Sequence, residues 1–387
     1  MDTLLHNVRF ALVSLLVFGL AVTNTYANTP ITLVTSHSES RLLGLIREEA
    51  EQQGLQLHAA FVDQDQLKSE LMRTHQEDEL PDVVIVPPDV SALAELHVDP
   101  LPEDWFLQSI SPQITQQLPS VSEHRAIPFL VGNQLLQFYN KSLVNEPIGD
   151  WESVAASYPE PLFSWSYNEM YWFVPFVLSH GIRFLEGGEA NLDTPEMAAA
   201  LEQYRGLASR GVVDPNCNYS CSISRFINGK VPYHINGTWA VEQLKEALGD
   251  QLGVAVLPNL SGLPMRSYYS AYVIIFPAIH RHSDKKLAAL KSFSRHLQSE
   301  DVQSKLVDYG YQMPINVASR LEFVASQNVI HRVFMQQLER SVCMPDSVEM
   351  LVLWDAMSRG FVRYNSGVLT APAASRYMGR TFVRFNR

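Results

Sequence analysis

Aromatic, acidic and amide residues are the part of this sequence that offers binding chemistry. The rings of Trp and Tyr are large, rigid and apolar, so they suit the C–H face of a pyranose. Carboxylates, amides and imidazoles exchange hydrogen bonds with the hydroxyl groups around the rim of such a ring. The candidates for an aromatic platform are Tyr171, Trp172, Trp239 and Trp354, and the candidate rim partners are Glu169, Asp89, Asn133 and His37.

Several of these residues also fit a purely structural role. Asp89 is equally suited to cap a helix that begins at the next residue. Glu169 fits as a negative charge in the first turn of its helix, where it stabilises the helix dipole. Trp354 follows Leu351 and Leu353 and suits a core as well as a platform, and we assign Trp105 and Trp165 to packing. The residue pattern alone leaves both roles open for the first three.

Residues 1–27 have the layout of a secretory signal peptide. Arg9 precedes the apolar residues 10–22, and the small residues Thr25 and Ala27 form a cleavage motif. The apolar stretch is shorter than the roughly 20 residues that a membrane-spanning helix needs. No cysteine lies near the cleavage position, so a lipid anchor is not expected. We therefore predict cleavage after Ala27 and a periplasmic location in a source with two membranes.

Export changes the interpretation of the cysteines Cys217, Cys221 and Cys343. In an oxidising compartment a local disulfide between Cys217 and Cys221 is the favoured interpretation. Half of a zinc site is the alternative, but neither a nearby His nor a second cysteine pair completes it. Redox catalysis typically uses CxxC rather than this CxxxC spacing. Cys343 is expected to be buried.

Length and charge limit the class of protein. The 387 residues suffice for about two domains of roughly 150 residues. With 46% hydrophobic and 18% charged residues, the chain can bury substantial cores. The formal charge of −12 argues against nucleic acid as a partner, because binding phosphates requires a concentrated basic surface. The sequence contains no GxSxG, HExxH, GxGxxG or P-loop motif.

Strands and helices alternate at the start of the mature chain. The expected strands are Ile31–Ser36, Leu55–Val62 and Pro81–Val86, and the expected helices are Arg41–Gln53 and Gln66–Thr74. This alternation, with a continuous apolar third strand, is typical of an α/β layer with buried parallel strands. Ligands bind outside the carboxyl ends of such strands, so Ser36–Ser40 and Pro87–Val90 are candidate binding loops.

A second region follows Leu135–Val144. Its expected strands are Pro161–Ser166 and Tyr268–Phe276, and its expected helices are Trp151–Ser157, Tyr171–His180, Glu196–Ser209, Leu287–Leu297 and Ser299–Tyr309, with mostly helix from Asn328 to Gly379. No low-complexity linker separates the two regions. Short crossings must therefore join them.

Four segments resemble, in order and spacing, the maltose-binding type of bacterial solute-binding proteins. They are Ile127–Lys141 (IPFLVGNQLLQFYNK), Phe226–Trp239 (FINGKVPYHINGTW), Gly253–Pro258 (GVAVLP) with the turn that follows it, and Gly310–Asn316 (GYQMPIN). The resemblance extends over nearly the whole mature chain. It implies an α/β fold of two lobes, each a mixed sheet flanked by helices, joined by several hinge crossings. The implied lobes are residues 28–132 with 268–318, and residues 133–267 with 319–387.

The resemblance also assigns binding positions. Residues 169–172 match a second-lobe Glu-x-Tyr-aromatic segment that packs on sugar in the maltodextrin receptors. Tyr219, Trp239 and Trp354 fall where that family has further aromatic cleft residues, and Asp89 falls where the first lobe supplies a carboxylate. These matches imply a second-lobe stacking platform.

Departures from the family pattern concentrate in the first lobe. Val86 and Val90 stand where the maltose receptors have Trp and Arg, and Asn133 stands where they have Glu. The basic residue expected after the first strand is absent from Ser36–Ser40, unless Arg41 replaces it. Maltose itself is therefore not the expected ligand.

The resemblance implies a monomeric, non-enzymatic receptor without cofactor or metal. Closure of the two lobes around a mono- or oligosaccharide is the expected mechanism, with delivery to an ABC permease in the inner membrane. Three alternatives stay open: a ligand-sensing partner of a membrane sensor, a secreted glycosidase with paired carboxylates, and a receptor for a non-sugar solute, either ferric ion through Tyr268 and Tyr269 or another solute such as an anion. The alternation of a strand also explains the two tyrosines as packing residues.

Overall fold

The computed structural model describes residues 29–36, 40–110, 117–154, 161–309 and 312–386. The expected signal peptide, His37 and the first two residues of Gly310–Asn316 lie outside these ranges. Among the helices in the described ranges, none is both long and apolar enough to cross a bilayer.

The strands are short and fall into two main sheets. In chain order they are β1 Pro30–Thr35, β2 Gln56–Phe61, β3 Val83–Val86, β4 Ile127–Gly132, β5 Leu135–Asn140, β6 Phe163–Ser164, β7 Leu185–Glu186, β8 Glu189–Ala190, β9 Tyr233–Gly237, β10 Leu252–Ala255, β11 Tyr268–Ile275, β12 Met313–Pro314 and β13 Val342–Cys343. The first sheet has the order β12-β4-β11-β3-β1-β2, with β13 paired to β11. The second has the order β10-β5-β9-β6, and β7 and β8 form a separate hairpin.

Helices cover both sheets. They are α1 Ser40–Gln52, α2 Gln64–Gln76, α3 Pro119–Ser122, α4 Met170–Ser179, α5 Pro195–Ser209, α6 Tyr219–Ile227, α7 Val241–Leu248, α8 Asp284–Leu297, α9 Glu300–Tyr309, α10 Val317–Ala325, α11 Val329–Arg340, α12 Val348–Asn365 and α13 Ala371–Phe385. Side-chain caps from Asn, Ser and Thr begin several of them, because these side chains accept hydrogen bonds from the unpaired N–H groups of the first turn. Thr194 accepts a hydrogen bond from the Met197 N–H of α5, for example.

The centre of the first sheet follows directly from its sequence. The VVIV run of β3 is buried along its whole length, as expected for a strand covered on both faces. It pairs in parallel with β1 and antiparallel with β11, so the sheet is mixed. Apolar clusters lie on its two faces, one around Ile85 and Phe293 and the other around Val84 and Phe334.

The chain passes between the two sheets at short crossings. It leaves the first sheet at the end of β4 and enters the second only three residues later, at the start of β5. It returns between β10 and β11. After β12 and α10, the helices α12 and α13 pack with α4 and α5 around the second core, which includes Trp165, Tyr204 and Phe361. The predicted fold, two lobes of mixed sheet and helix, is confirmed.

Helix α11 contacts both halves of the molecule. Phe334 belongs to a core of the first sheet, whereas Ile330 packs against a core of the second. The buried Gln337 accepts a hydrogen bond from the Leu257 N–H at 2.9 Å and donates one to the Met265 carbonyl at 3.2 Å. The return crossing is therefore fixed to this helix.

Three local predictions differ from the structure. The helix expected at Trp151–Ser157 is a 3-10 turn at Trp151–Ser153, and residues 155–160 lie outside the described ranges. The strand expected at Pro161–Ser166 has only two residues, because its ladder with β9 covers only Phe163 and Ser164; on its other side Phe163 forms a single bridge to Val213. Cys343 is half-buried rather than buried, since β13 lies at the side of β11.

Candidate functional site

The first crossing brings residues of both sheets together at Asn133. This residue has φ of 69°, a left-handed conformation that Asn tolerates better than most residues. Its N–H donates to the Thr238 hydroxyl at 3.1 Å, and its carbonyl accepts a hydrogen bond from the Tyr171 hydroxyl at 2.6 Å. The crossing is thus held against two elements of the second sheet, α4 and the turn after β9.

Five aromatic side chains predicted for the site lie in one cluster. The ring of Tyr171 lies 5.7 Å from that of Trp239 and 6.0 Å from that of Trp354. The ring of Trp172 lies 6.3 Å from Trp239 and 6.0 Å from Tyr219. Most of these pairs are edge-to-face, a geometry in which the partial charges of the rings attract. We call these five residues the aromatic cluster.

The members of the aromatic cluster differ in depth. Trp172 is buried and donates its indole N–H to the Ile235 carbonyl at 2.8 Å, so it supports the others from below. Tyr171, Tyr219, Trp239 and Trp354 are half-buried. The indole N–H of Trp239 donates to the Tyr219 hydroxyl at 3.0 Å. Four rings therefore present part of their surface, and one serves as their base.

Backbone features hold the cluster in position. A Cβ atom on Gly237 would come within 1.9 Å of the Trp239 ring, so only glycine allows that ring to lie over the end of β9. Tyr219 begins α6, where Asn218 caps the helix and Cys217 and Cys221 form a disulfide across the first turn.

Glu169 lies at the edge of the cluster. It is exposed at the N-terminal end of α4, and its carboxylate accepts a hydrogen bond from the Ser166 hydroxyl at 2.5 Å. Burial raises the pKa of the Tyr219 hydroxyl, and the charge of Glu169 adds to that rise, which shows that the two side chains are near each other. Glu169 is thus an acceptor at the rim of the rings.

Asp89 lies on the side of the first sheet, and its charge acts on one member of the aromatic cluster, Tyr171. It lies inside the 3-10 turn Pro88–Ala92 that follows β3, and Pro87 occupies the cap position, so Asp89 does not cap this turn. Its Oδ1 atom is buried and has no hydrogen-bond partner among the described residues. Burial raises the pKa of Asp89 to about 6, and the charge of Asp346 adds to that rise. The charge of Asp89 also acts on the buried Tyr171 hydroxyl.

Asp346 is a second buried acidic residue, its charge acts on Asp89, and the sequence pattern did not predict it. It lies between β13 and α12, and its carboxylate accepts hydrogen bonds from the N–H and hydroxyl of Ser120 at 2.9 and 2.5 Å. Its second oxygen is buried without a partner among the described residues. Only the packing of α12 against the turn Pro88–Ala92 brings it near Asp89. Because Asp346 lies just before a helix, the sequence alone suggests a role in capping that helix. No local signal marks it as a binding residue.

Arg41 does not replace the basic residue missing from the first-lobe loop. Its guanidinium group lies 2.9 Å from a carboxylate oxygen of Glu242 and 3.3 Å from one of Glu246, both on α7 beside the second sheet. Arg41 therefore links the two halves of the molecule and is directed at other side chains.

The two tyrosines considered as ligands of ferric ion point in opposite directions. Tyr268 and Tyr269 are consecutive on β11, so their side chains point to opposite faces of the strand. Tyr268 is buried, and Tyr269 donates a hydrogen bond to Gln117. The geometry does not favour a shared iron ligand set. The predicted packing residues Trp105 and Trp165 are both buried, and Trp165 donates to the Tyr204 hydroxyl at 2.8 Å.

Residues 46–329 match the family model described as bacterial extracellular solute-binding protein, and the chain belongs to this family. A maltotriose-binding protein of Pyrococcus abyssi is 24% identical over 277 residues, which are 66% of this chain and 58% of the relative. The match thus spans little more than half of that protein's length.

Solved structures of similar proteins share the whole fold. The maltose/maltodextrin-binding domain of Bdellovibrio bacteriovorus, solved with maltotriose, has a TM-score of 0.81 at 20% identity and covers 92% of this chain and 99% of its own. The GacH receptor of Streptomyces glaucescens, studied with and without acarbose, gives 0.80 at 18% identity, with coverage of 92% and 98%. The maltose-maltodextrin binding protein of Alicyclobacillus acidocaldarius gives 0.78 at 19%, with coverage of 92% and 100%. All of these relatives are named as binding proteins or receptors.

Proposed function

We propose that this protein is an exported receptor that captures a mono- or oligosaccharide between its two lobes and delivers it to an inner-membrane ABC importer. The observation that carries the proposal is the aromatic cluster beside the first crossing, where the Tyr171 hydroxyl donates to the Asn133 carbonyl. On the side of the first sheet, the buried Oδ1 of Asp89 has no partner among the described residues. Rings on one side and acceptors on the other suit the face and the rim of a sugar. The names of the relatives support the same class of ligand.

The binding residues of the proposal divide by role. Tyr171, Tyr219, Trp239 and Trp354 supply ring surface, with Trp172 beneath them. Glu169, Asp89 and Asn133 supply polar contacts at the rim, and His37 is a further candidate. The lobes are assigned to residues 28–132 with 268–318 and to residues 133–267 with 319–387. Cleavage after Ala27 is proposed to release the mature, periplasmic, monomeric receptor.

A ligand screen tests the proposal. Thermal shift across mono- and oligosaccharides, followed by calorimetry of the best ligand, should find a saccharide that raises the melting temperature, because it binds only the native state. Trp239→Ala should then weaken binding by about 10-fold or more, whereas Val383→Ala, at an exposed position on α13, should not. Release of sugar from an oligosaccharide by the purified protein, abolished in Glu169→Gln, would favour a glycosidase and contradict the proposal.

A further inference from the structure

Two acidic side chains approach each other on the first-sheet side of the cleft. The turn Pro88–Ala92, which carries Asp89, packs against both α3 and the helix α12. Asp346 lies just before α12 and is only 2% exposed, and the N–H and hydroxyl of Ser120 on α3 hold one of its oxygens. Three elements therefore fix the position of the two carboxyl groups.

Each carboxyl group has one oxygen left for a donor. Oδ1 of Asp89 and Oδ1 of Asp346 are both buried and without a hydrogen-bond partner among the described residues. Buried polar atoms in native proteins nearly always have a partner, because an unpaired one costs about 1–3 kcal/mol. Two such atoms in neighbouring elements are therefore open to a donor that the described residues do not supply.

Asn133 provides an independent indication of a ligand. Its side chain is 8% exposed, and its Oδ1 atom is likewise buried without a partner among the described residues. Its carbonyl binds the Tyr171 hydroxyl, whose surroundings include the charge of Asp89. The unpaired amide oxygen thus belongs to a residue that binds Tyr171, the member of the aromatic cluster on which the charge of Asp89 acts.

The nearby cations are engaged with other acids. Arg125 is the basic residue whose charge acts on Asp346, and its guanidinium group lies 2.6 Å from Glu123. Arg41 pairs with Glu242 and Glu246. No salt bridge of the described residues includes Asp89 or Asp346. Burial raises the pKa of both carboxyl groups, as expected for negative charges that lack a close counter-charge.

We propose that the preferred solute is a saccharide that bears a positively charged amine, and that Asp89 and Asp346 hold this amine between them. The inference rests on the proposed receptor function and specifies its ligand. A hydroxyl group can donate to one of the two oxygens but cannot balance the charge of the pair. An ammonium group donates to both oxygens and neutralises repulsion, so it gains charge-assisted hydrogen bonds that a neutral sugar lacks. The rings of Tyr171 and Trp354 add an electron-rich surface that also attracts a cation.

Calorimetry with three matched series of oligosaccharides tests this inference. The series are glucosamine oligomers, their N-acetylated counterparts and the corresponding glucose oligomers of two to four units, at pH 7.5 and low salt. The amine-bearing series should bind about 10-fold more tightly or better than either neutral series, as expected for charge-assisted hydrogen bonds. In Asp89→Asn and in Asp346→Asn the preference should fall below about 3-fold. Asp250→Asn, which removes a fully exposed acid beyond α7, is the control and should keep it.

The outcomes separate this inference from the function on which it rests. Equal or tighter binding of a neutral series overturns the amine preference and leaves a saccharide receptor. Failure of every amine-bearing oligomer to bind also overturns it, whether or not a neutral oligomer binds. Failure of all three series, together with every sugar of the wider screen, overturns both proposals. A preference that persists in both Asn variants shows that the amine does not lie between these acids and overturns the assignment.

Discussion

Burial of Asp89 makes its negative charge unfavourable for folding, whereas the proposed binding of a ligand uses that charge. Its carboxyl group is held in a buried turn and lies near a second acid, and neither contributes to folding by carrying a charge there. Groups of this kind are typical of functional sites, because a protein tolerates their cost only where a ligand uses them. The cost of ionising Asp89 is measurable.

Asp89→Asn should alter the pH dependence of stability. The folded pKa of about 6 lies above the ordinary value of 3.8, so the folded protein binds the proton more tightly than the unfolded chain. The stability that this proton supplies is present below about pH 4 and is lost as the pH rises through 6, up to about 3 kcal/mol in total. Denaturant unfolding at pH 4 and pH 7.5 measures the effect. The variant should lose less stability over that range than the parent protein, and an identical loss in both would contradict the assignment.

The end of β9 is the element on which the aromatic cluster depends most. Gly237 leaves no room for a Cβ beside the Trp239 ring, and Thr238 binds the N–H of the crossing residue Asn133. The end of β9 therefore positions both the Trp239 ring and the first crossing. A small change here should affect binding more than the loss of one side chain elsewhere.

Gly237→Ala should displace Trp239, cost about 1–3 kcal/mol of stability and weaken saccharide binding by about 10-fold or more. Gly206→Ala is the matched control, because a Cβ at that position on α5 meets no atom within 4 Å. It should stabilise the protein by up to about 1 kcal/mol, as expected for alanine in a helix, and leave binding unchanged. Calorimetry and thermal unfolding of both variants measure the two effects. Normal binding by Gly237→Ala would show that the Trp239 ring is not needed in its present position.

Helices α1 and α7 carry a contact between the two halves of the molecule. Arg41 on α1 pairs with the largely buried Glu242 and the exposed Glu246 on α7. Because the partners belong to different sheets, the pair exists only while the halves are together. It should therefore favour the closed form.

Arg41→Gln should shift the protein toward the open form. An exposed ion pair of this type contributes about 0–1 kcal/mol, so saccharide affinity should fall by up to about 5-fold. Small-angle scattering of the unliganded variant should give a larger radius of gyration than the parent protein. Arg359→Gln, which removes an ion pair within α12, is the control and should change neither quantity. Unchanged affinity and scattering in Arg41→Gln would show that the pair does not stabilise closure.

At the scale of the whole molecule, the crossings and α11 connect two separate cores. Residues Gln134 and Gln337 illustrate the connection, since Gln134 donates to the Phe334 carbonyl at 3.3 Å and Gln337 binds both sides of the return crossing. Such a joint allows rotation of one lobe on the other without loss of either core. Ligand contacts to both lobes would then select the closed arrangement.

Binding of the saccharide found in the screen should compact the protein. Scattering with and without saturating ligand measures the radius of gyration, which should fall on binding. The same ligand at 100 times its dissociation constant should stabilise the fold by about 2.7 kcal/mol, by mass action alone. Val383→Ala serves as the control, since it removes apolar volume at an exposed position of α13 and should leave both affinity and compaction unchanged. Tight binding without any compaction would contradict closure of the lobes.

The sequence by itself determined the elements whose signals are local. The apolar run of β3, the helix α5 and the strand β11 were predicted within a few residues, because apolar runs and periods depend on neighbours along the chain. The alternation expected for β11 was wrong, since seven of its eight residues are buried. The five aromatic residues were also identified, through a resemblance that concentrates in the second lobe. The short strand β6 was overestimated, since a strand's length depends on its partner.

Only the tertiary structure decided which polar groups meet. Asp346 joined Asp89 through the packing of α12 on a turn more than two hundred residues earlier, and Ser120 fixed its orientation. The sequence left Arg41 as a candidate ligand residue, but in the structure its side chain pairs with Glu242 of α7 instead. Contacts of this kind depend on the relative placement of distant elements, and no local period or spacing encodes them. The aromatic cluster proposed to bind sugar could be identified from the sequence, whereas the pair of buried acids could not.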